Sequence, residues 1–293
     1  SGNIAKKSAY FSAGWYRCTR RKPHLQKIVL RALLHNVPFT IRSSFRWSRG
    51  FYKEKNEQKE NLFAERANEK FLIESALKLK QTYKLDFLYS HSSAERYLES
   101  LTYLDYLVQL FSTVKLPENI SFLDVGVKNW AYVEGVYRFL EKHAEQFNLK
   151  GIELDAFRVY RNFYSRTDYA RSFIQHLKHT SFECGDVMQH RSKYDIISCF
   201  LPFVFIEPTL AWGLPEKYFQ PQKFIRHLFS LLKKDGILII VNQGKDENDE
   251  QQKIFRECFS DDELEIEWNG QMRESFFLYK YQRFGWRCSK KIV

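Results

Sequence analysis

Three short apolar runs each end in an acid, and those acids are the residues best placed to do chemistry. Asp124 closes ISFLDVG, Glu153 with Asp155 two residues on closes LKGIELD, and Asp186 closes SFECGDV. In a doubly wound sheet, ligands gather at the carboxyl ends of the strands near the point where strand order reverses. A carboxylate at the second strand end can accept two hydrogen bonds and so suits paired ribose hydroxyls. One at the third can accept from an adenine amino group. The competing assignment is that these acids cap the elements that follow them.

The turn after the first run is the second feature. FLDVGVKNWAYV begins as a nucleotide-binding turn does, with an apolar strand, an acid and then Gly126. Lys128 and Trp130 then stand where further glycines are usual. Glycine there would allow positive φ and close backbone approach to a ligand. Asn129 tolerates left-handed φ better than most residues and is expected to let the turn form. Trp130 either packs as core or walls a ligand site. A helix N-terminus follows and offers N–H groups to an anion. Further along, FRVYRNFYSRTDYARSF concentrates Arg158, Arg161, Arg166, Asp168 and Tyr169, where arginines could hold an anionic substrate or pair with nearby acids. Ser198 to Phe203 and the loop EPTLAWGLPEKYF, with Trp212, are further candidates for the wall of an acceptor site.

The elements positioning these residues alternate. The expected order is strand, helix (Trp130, Val133, Tyr137, Leu140, Ala144 and Phe147 on one face), strand, strand, and a fourth strand YDIISCFLPFVF. Then follow a helix FIRHLFSLLKKDG with a glycine stop and a fifth strand ILIIVN. ELEIEW and SFFLYKYQRF are expected to close the sheet as a hairpin turning near Asn269-Gly270. Upstream, SSAE (Ser92 to Glu95) reads as a capping box for a helix with Leu98, Leu101, Leu104, Val108 and Phe111 in one stripe. Residues 53–85 suggest a surface helix with Phe63, Ala67, Phe71 and Leu77 at helical intervals. Alternation of this kind implies an α/β, doubly wound, mostly parallel seven-stranded sheet over 89–293, with a helical N-terminal extension over 1–88.

Charge is unevenly distributed. The first fifty residues hold eleven Lys or Arg and no acid. Removing these from the 46 basic residues leaves 35, equal to the 35 acids. Pro23 is expected to start a helix in this arm and Pro38 to end it. RSSFRWSRGFYK then alternates arginine with Phe45, Trp47, Phe51 and Tyr52. Cation plus ring is the chemistry of single-stranded nucleic acid binding, whereas the simpler expectation is that the rings dock the arm onto the main domain. A nucleic acid, an anionic membrane surface or a protein are the partners considered for residues 1–53. Five scattered cysteines and no metal-ligand spacing argue for a reducing, cytoplasmic setting and against a bound metal. No run is long enough for a membrane span and no secretory leader is expected.

The order of these segments resembles the class I S-adenosylmethionine-dependent methyltransferases over roughly residues 90–285. LDVG resembles their first motif, GIELD the acidic second, DIIS the fourth and LLKKDGILIIVN the fifth-strand segment. DVGVKNWAYV with GIELDAFRVYRNFYSRTDYA also looks like a little-characterised subgroup of that family. The resemblance implies methyl transfer with S-adenosylmethionine as cofactor. It places Asp124, Gly126 and Asn129 near the methionine end, Glu153 and Asp155 at the ribose, and Asp186 with the backbone of Val187 at the adenine. The acceptor side would draw on Arg158, Arg166, Tyr169, Phe203 and Trp212. Two other functions stay open: a nicotinamide dehydrogenase, though G-x-G-x-x-G is absent, and a catalytically silent domain acting through its basic arm.

Overall fold

The computed structural model describes residues 25–60, 62–63, 69–273, 276–277 and 279–291, with backbone alone for 25–33 and 69. Pro23, Cys18, Ala67 and the basic residues before position 25 lie outside the described residues.

Seven strands form one sheet: β1 (Asn119–Val125), β2 (Gln146–Glu153), β3 (Thr180–Cys184), β4 (Tyr194–Phe200), β5 (Leu232–Gln243), β6 (Leu264–Gln271) and β7 (Arg283–Lys290). Their spatial order is β3-β2-β1-β4-β5-β7-β6. The first five are parallel, β7 runs antiparallel to β5, and β6 antiparallel to β7. The chain steps outward from β1 to β3, then restarts with β4 on the other side of β1, so the switch point lies between β1 and β4. This is the doubly wound sheet with a closing antiparallel hairpin that the sequence implies, but its last strand is not SFFLYKYQRF: β7 begins at Arg283, where that run ends, and continues to Lys290.

The helices are α1 (Leu25–Phe45), α2 (Glu69–Thr82), α3 (Asp86–His91), α4 (Ala94–Leu110), α5 (Val133–His143), α6 (Arg166–Ile174), α7 (Ile206–Ala211), α8 (Pro221–Ser230) and α9 (Gly244–Cys258). Leu101, Leu104 and Leu107 of α4 and Val133, Val136 and Leu140 of α5 are sealed into one core with Phe122 of β1. The described residues fall into two compact units, those within 47–202 and 222–291, and those within 25–46 and 203–221. In the smaller unit Phe39 of α1 packs on Tyr218 with ring centroids 5.2 Å apart, and Arg42 Nη2 donates to Gly213 O at 2.9 Å.

Several expected boundaries move, each for a physical reason. α1 does not stop at Pro38 but runs on to Phe45. Proline removes one N–H, whose partner would be the carbonyl of residue 34. Both residues are exposed, a setting in which solvent can serve the carbonyl that proline leaves without an intrahelical donor. In α2 the buried face is Leu72, Ala76 and Leu79, while Phe71 and Leu77 are exposed. Trp130 precedes α5, and Phe147 belongs to β2. α8 ends at Ser230, and Gly236 lies within β5 at the register shift opposite Tyr194, where an added Cβ would sit 3.0 Å from Tyr194 O. Asn269 and Gly270 pair with Trp286 and Gly285 inside β6 instead of forming the hairpin turn, and Gly270 makes room for the indole of Trp268.

The cap of α4 also differs. Ser93, not Ser92, is the N-cap, and its hydroxyl accepts from Arg96 N at 3.2 Å. Glu95 does not complete a box. Instead Glu54 accepts from both Ser93 N and Ser93 Oγ at 2.8 Å, and Glu57 accepts from Ala94 N at 3.0 Å.

Candidate functional site

The loop leaving β1 sits at the switch point. Gly126, Lys128 and Trp130 have φ of +75°, +55° and +53°, so every second residue is left-handed. A glycine adopts that conformation freely. A non-glycine residue costs roughly 1–2 kcal/mol each. The turn thus keeps the backbone of a glycine-rich loop without its glycines. Asn129, expected to supply the left-handed residue, is not among them. Gly126 N donates to Ile152 O at 2.9 Å, and Lys128 N donates to Glu153 Oε2 at 2.8 Å, tying the loop to the end of β2. Gly126 is exposed, and an added Cβ would meet nothing within 4 Å.

Trp130 is core. Its ring is fully buried and lies against Gly151 of β2, where any Cβ would come within 2.8 Å of the indole. Its Nε1 donates to Asp124 Oδ2 at 2.8 Å. Asp124, also fully buried, accepts from Ser198 Oγ of β4 at 2.7 Å and from the Tyr132 hydroxyl. Burial outweighs these three donors and pushes its carboxyl up to about 7. Asp124 therefore lies beneath the loop and welds β1 to β4.

Glu153 stands at the end of β2 and is almost buried. Its Oε1 accepts from Asp155 N at 2.9 Å and from Arg166 Nη1 at 2.7 Å. Arg166 opens α6 and is aimed by the cap of that helix. Ser165 Oγ accepts from Asp168 N at 3.3 Å, and Asp168 Oδ2 accepts from Ser165 N at 2.8 Å. Arg166 also lies 3.9 Å from Asp155, which pairs with Arg158 at 3.7 Å, and it bonds the hydroxyl of Tyr160. Burial pushes that phenol up to about 12. Asp186, half-buried, caps the short 3-10 turn Val187–Gln189 by accepting from Met188 N at 2.9 Å; Val187 is buried behind it.

Sequence reasoning missed a further group. Glu99 of α4 faces the charges of Lys128 and Arg96. Burial raises its carboxyl above the usual range and those cations oppose the rise. Burial lowers Lys128, with Glu99 opposing. Arg283 of β7 and Tyr279 share this field, the guanidinium lying 4.0 Å above the Tyr279 ring. Tyr103 and Tyr132 stack at 3.8 Å with planes 8° apart, and Phe200 meets Tyr103 edge-on at 4.8 Å. These residues come from α4, the loop after β1, β4 and the approach to β7. No local pattern joins them, although a lone Glu beside an apolar helix stripe is a signal.

The expected acceptor residues divide. Arg166 is spent on Glu153, and Tyr169 is buried beneath Tyr52, centroids 4.0 Å apart. Phe203 and Trp212 belong to the smaller unit, with rings 6.2 Å apart. In RSSFRWSRGFYK the docking expectation describes Trp47, Arg49 and Tyr52. Trp47 Nε1 donates to Phe163 O at 2.9 Å, and Ser48 Oγ donates to Asp168. Arg49 N donates to Asp168 Oδ2 at 3.0 Å, and Tyr52 N to Ser172 Oγ at 2.6 Å.

The strand order, the switch point at β1/β4 and the closing hairpin decide the fold. The chain has a Rossmann-like sheet in the strand order expected of a class I methyltransferase fold. No protein-family model and no curated protein matches the sequence. Similar solved structures include Trm5b from Pyrococcus abyssi, at 11% identity and TM-score 0.43 over 66% of this chain and 49% of that one. TrmN from Thermus thermophilus is similar at 13% and 0.42 over 64% and 48%. The N-methyltransferase NodS from Bradyrhizobium japonicum WM9 is similar at 13% and 0.41 over 65% and 95%. The chain spans about half the length of the first two.

S-adenosylmethionine, the cofactor that the sequence resemblance implies, can be tested against the residues present. The loop fits, since Gly126 leaves its outer face open and the backbone holds the left-handed triad. Asp186 and Val187 stand at the third strand end as an adenine would require. Glu153 fits in reduced form. A carboxylate offers about four acceptor sites, and three are taken by Lys128 N, Asp155 N and Arg166, so one ribose hydroxyl could be served without moving Arg166.

Proposed function

We propose that the protein is an S-adenosylmethionine-dependent methyltransferase. The observation that carries this reading is the loop after β1, which holds the glycine-loop backbone at Gly126, Lys128 and Trp130 despite its strain. Strain of this kind persists where the surroundings over-determine it, and it gathers at ligand sites. Glu153 would accept from a ribose hydroxyl, Asp186 and the backbone of Val187 would hold the adenine, and Gly126 would admit the close approach of the cofactor. Bound there, S-adenosylmethionine supplies an electrophilic methyl group. Alignment of an acceptor against it needs little more than a shaped, dry cleft. Glu99 is the carboxylate placed to take a proton from the acceptor, because burial raises its affinity for one. Lys128 and Arg283 favour an acceptor carrying negative charge. The scattered cysteines support a cytoplasmic setting.

A second reading, a silent domain, draws on the Arg166–Glu153 contact, which occupies the ribose acid. Titration calorimetry with S-adenosylhomocysteine separates the two. The expected result is binding that Glu153→Ala weakens by roughly 1.5–3 kcal/mol, the scale of hydrogen bonds to a charged group. No heat at millimolar ligand overturns the enzyme reading.

A further inference from the structure

Helix α1 has its amphipathy reversed. At 100° per residue, Leu34, Val37, Ile41 and Phe45 fall within about 80° of arc, and they are 61%, 55%, 60% and 75% exposed. The opposite side holds Phe39, buried, with half-buried His35, Asn36, Arg42 and Ser43. A surface helix ordinarily turns such a stripe inward. Here three polar side chains and an arginine share the side of the buried Phe39, and four large apolar ones are exposed.

We propose that this stripe lies in the headgroup boundary of an anionic lipid bilayer, with α1 parallel to the membrane plane. Charge complementarity selects the occupant: the first fifty residues carry eleven Lys or Arg and no acid. Arg46 and Arg49 follow the apolar stripe directly in the sequence. An apolar helical face with basic residues beside it is the composition of interfacial helices. Three of the four residues of the stripe, Leu34, Val37 and Ile41, offer no ring on which a base could stack, which disfavours a single-stranded nucleic acid as the occupant of this face. Among the described residues no helix is long and apolar enough to cross a membrane, so the association is with the surface.

The test is co-sedimentation of the 293-residue chain with vesicles of phosphatidylcholine containing about 30% phosphatidylserine, beside pure phosphatidylcholine vesicles and a single-stranded RNA. Binding to the anionic vesicles should exceed binding to the neutral ones and fall as salt is raised. Ile41→Glu and Leu34→Glu should each weaken it roughly tenfold or more with no change in melting temperature. Thr40→Glu adds the same charge to an exposed position off the stripe and should weaken it far less. The proposal is overturned if the anionic vesicles are not bound at low salt, or if Ile41→Glu binds as well as Thr40→Glu. It also fails if RNA is bound and vesicles are not, if the wild type is a dimer that Ile41→Glu dissociates, or if Ile41→Glu lowers the melting temperature. The last result would mean that the chain itself covers the stripe.

Discussion

Arg166 and Glu153 meet at 2.7 Å with both side chains nearly sealed from solvent. Two charges held this way must neutralise one another, since either alone would be stranded in a poorly solvated place. Arg166→Met should therefore cost about 3–5 kcal/mol, the usual penalty for breaking a buried pair from one side. The double variant with Glu153→Gln should recover a large part of that loss. Urea unfolding of the two singles and the double gives the coupling directly. Additive losses would show that the pair is not an energetic unit.

Gly151 and Gly126 should respond differently to the same methyl group. Gly151→Ala forces a Cβ to within 2.8 Å of the buried Trp130 ring, an overpacking expected to cost about 1–3 kcal/mol. Gly126→Ala meets nothing within 4 Å and carries only the cost of its positive φ, about 1–2 kcal/mol. Its methyl group would stand on the open side of the loop, so S-adenosylhomocysteine affinity should fall more than stability does. Calorimetry and thermal melting on both variants check this split.

Trp130→Ala removes the ring on Gly151 and one donor to Asp124. A loss of roughly 3–5 kcal/mol is expected, since alanine keeps the cost of the positive φ at position 130. Trp130→Phe keeps a ring and loses the donor, so its smaller loss isolates the hydrogen bond. A wild-type melting temperature for the alanine variant would contradict the core assignment.

Asp124 predicts a pH effect. Its carboxyl is pushed up to about 7 in the fold, against about 4 in an unfolded chain. Between those values the folded state binds the extra proton. Its contribution therefore stabilises at low pH and is lost as pH rises from about 4 to 7, after which the curve is flat. Asp124→Asn should remove this slope while keeping an acceptor for Trp130. Denaturation midpoints across that range, compared between the two proteins, test the sign.

Much of this architecture was legible because strands and helices impose different periods. The order of β1 to β5, the stripe of α4, and the acids at 124, 153 and 186 all follow from that. What stayed hidden depends on distance. Gly236 and Gly270 look like stops and turns, yet one sits at a bulge and the other makes room for Trp268. Asp124 and Glu153 look alike in sequence. One is buried under Trp130 and the other is held by Arg166, whose aim is set by the cap of α6. Glu99, Lys128 and Arg283 converge from three separate elements, and nothing in any one segment announces the others.

The capping of α4 from outside has a consequence in time. Ser93 and Ala94 give their backbone N–H groups to Glu54 and Glu57, some forty positions earlier in the chain. The same strap gives the N–H of Tyr52 to Ser172 on α6 and that of Arg49 to Asp168 at the cap of that helix. The start of α4 is not complete without the strap, which is thus a clasp across two elements that are otherwise far apart in sequence. Loss of the clasp would release these amides together. Ser93, Ala94, Arg49 and Tyr52 should accordingly exchange with solvent deuterium at one shared rate, ahead of the core amides of β1 and β4.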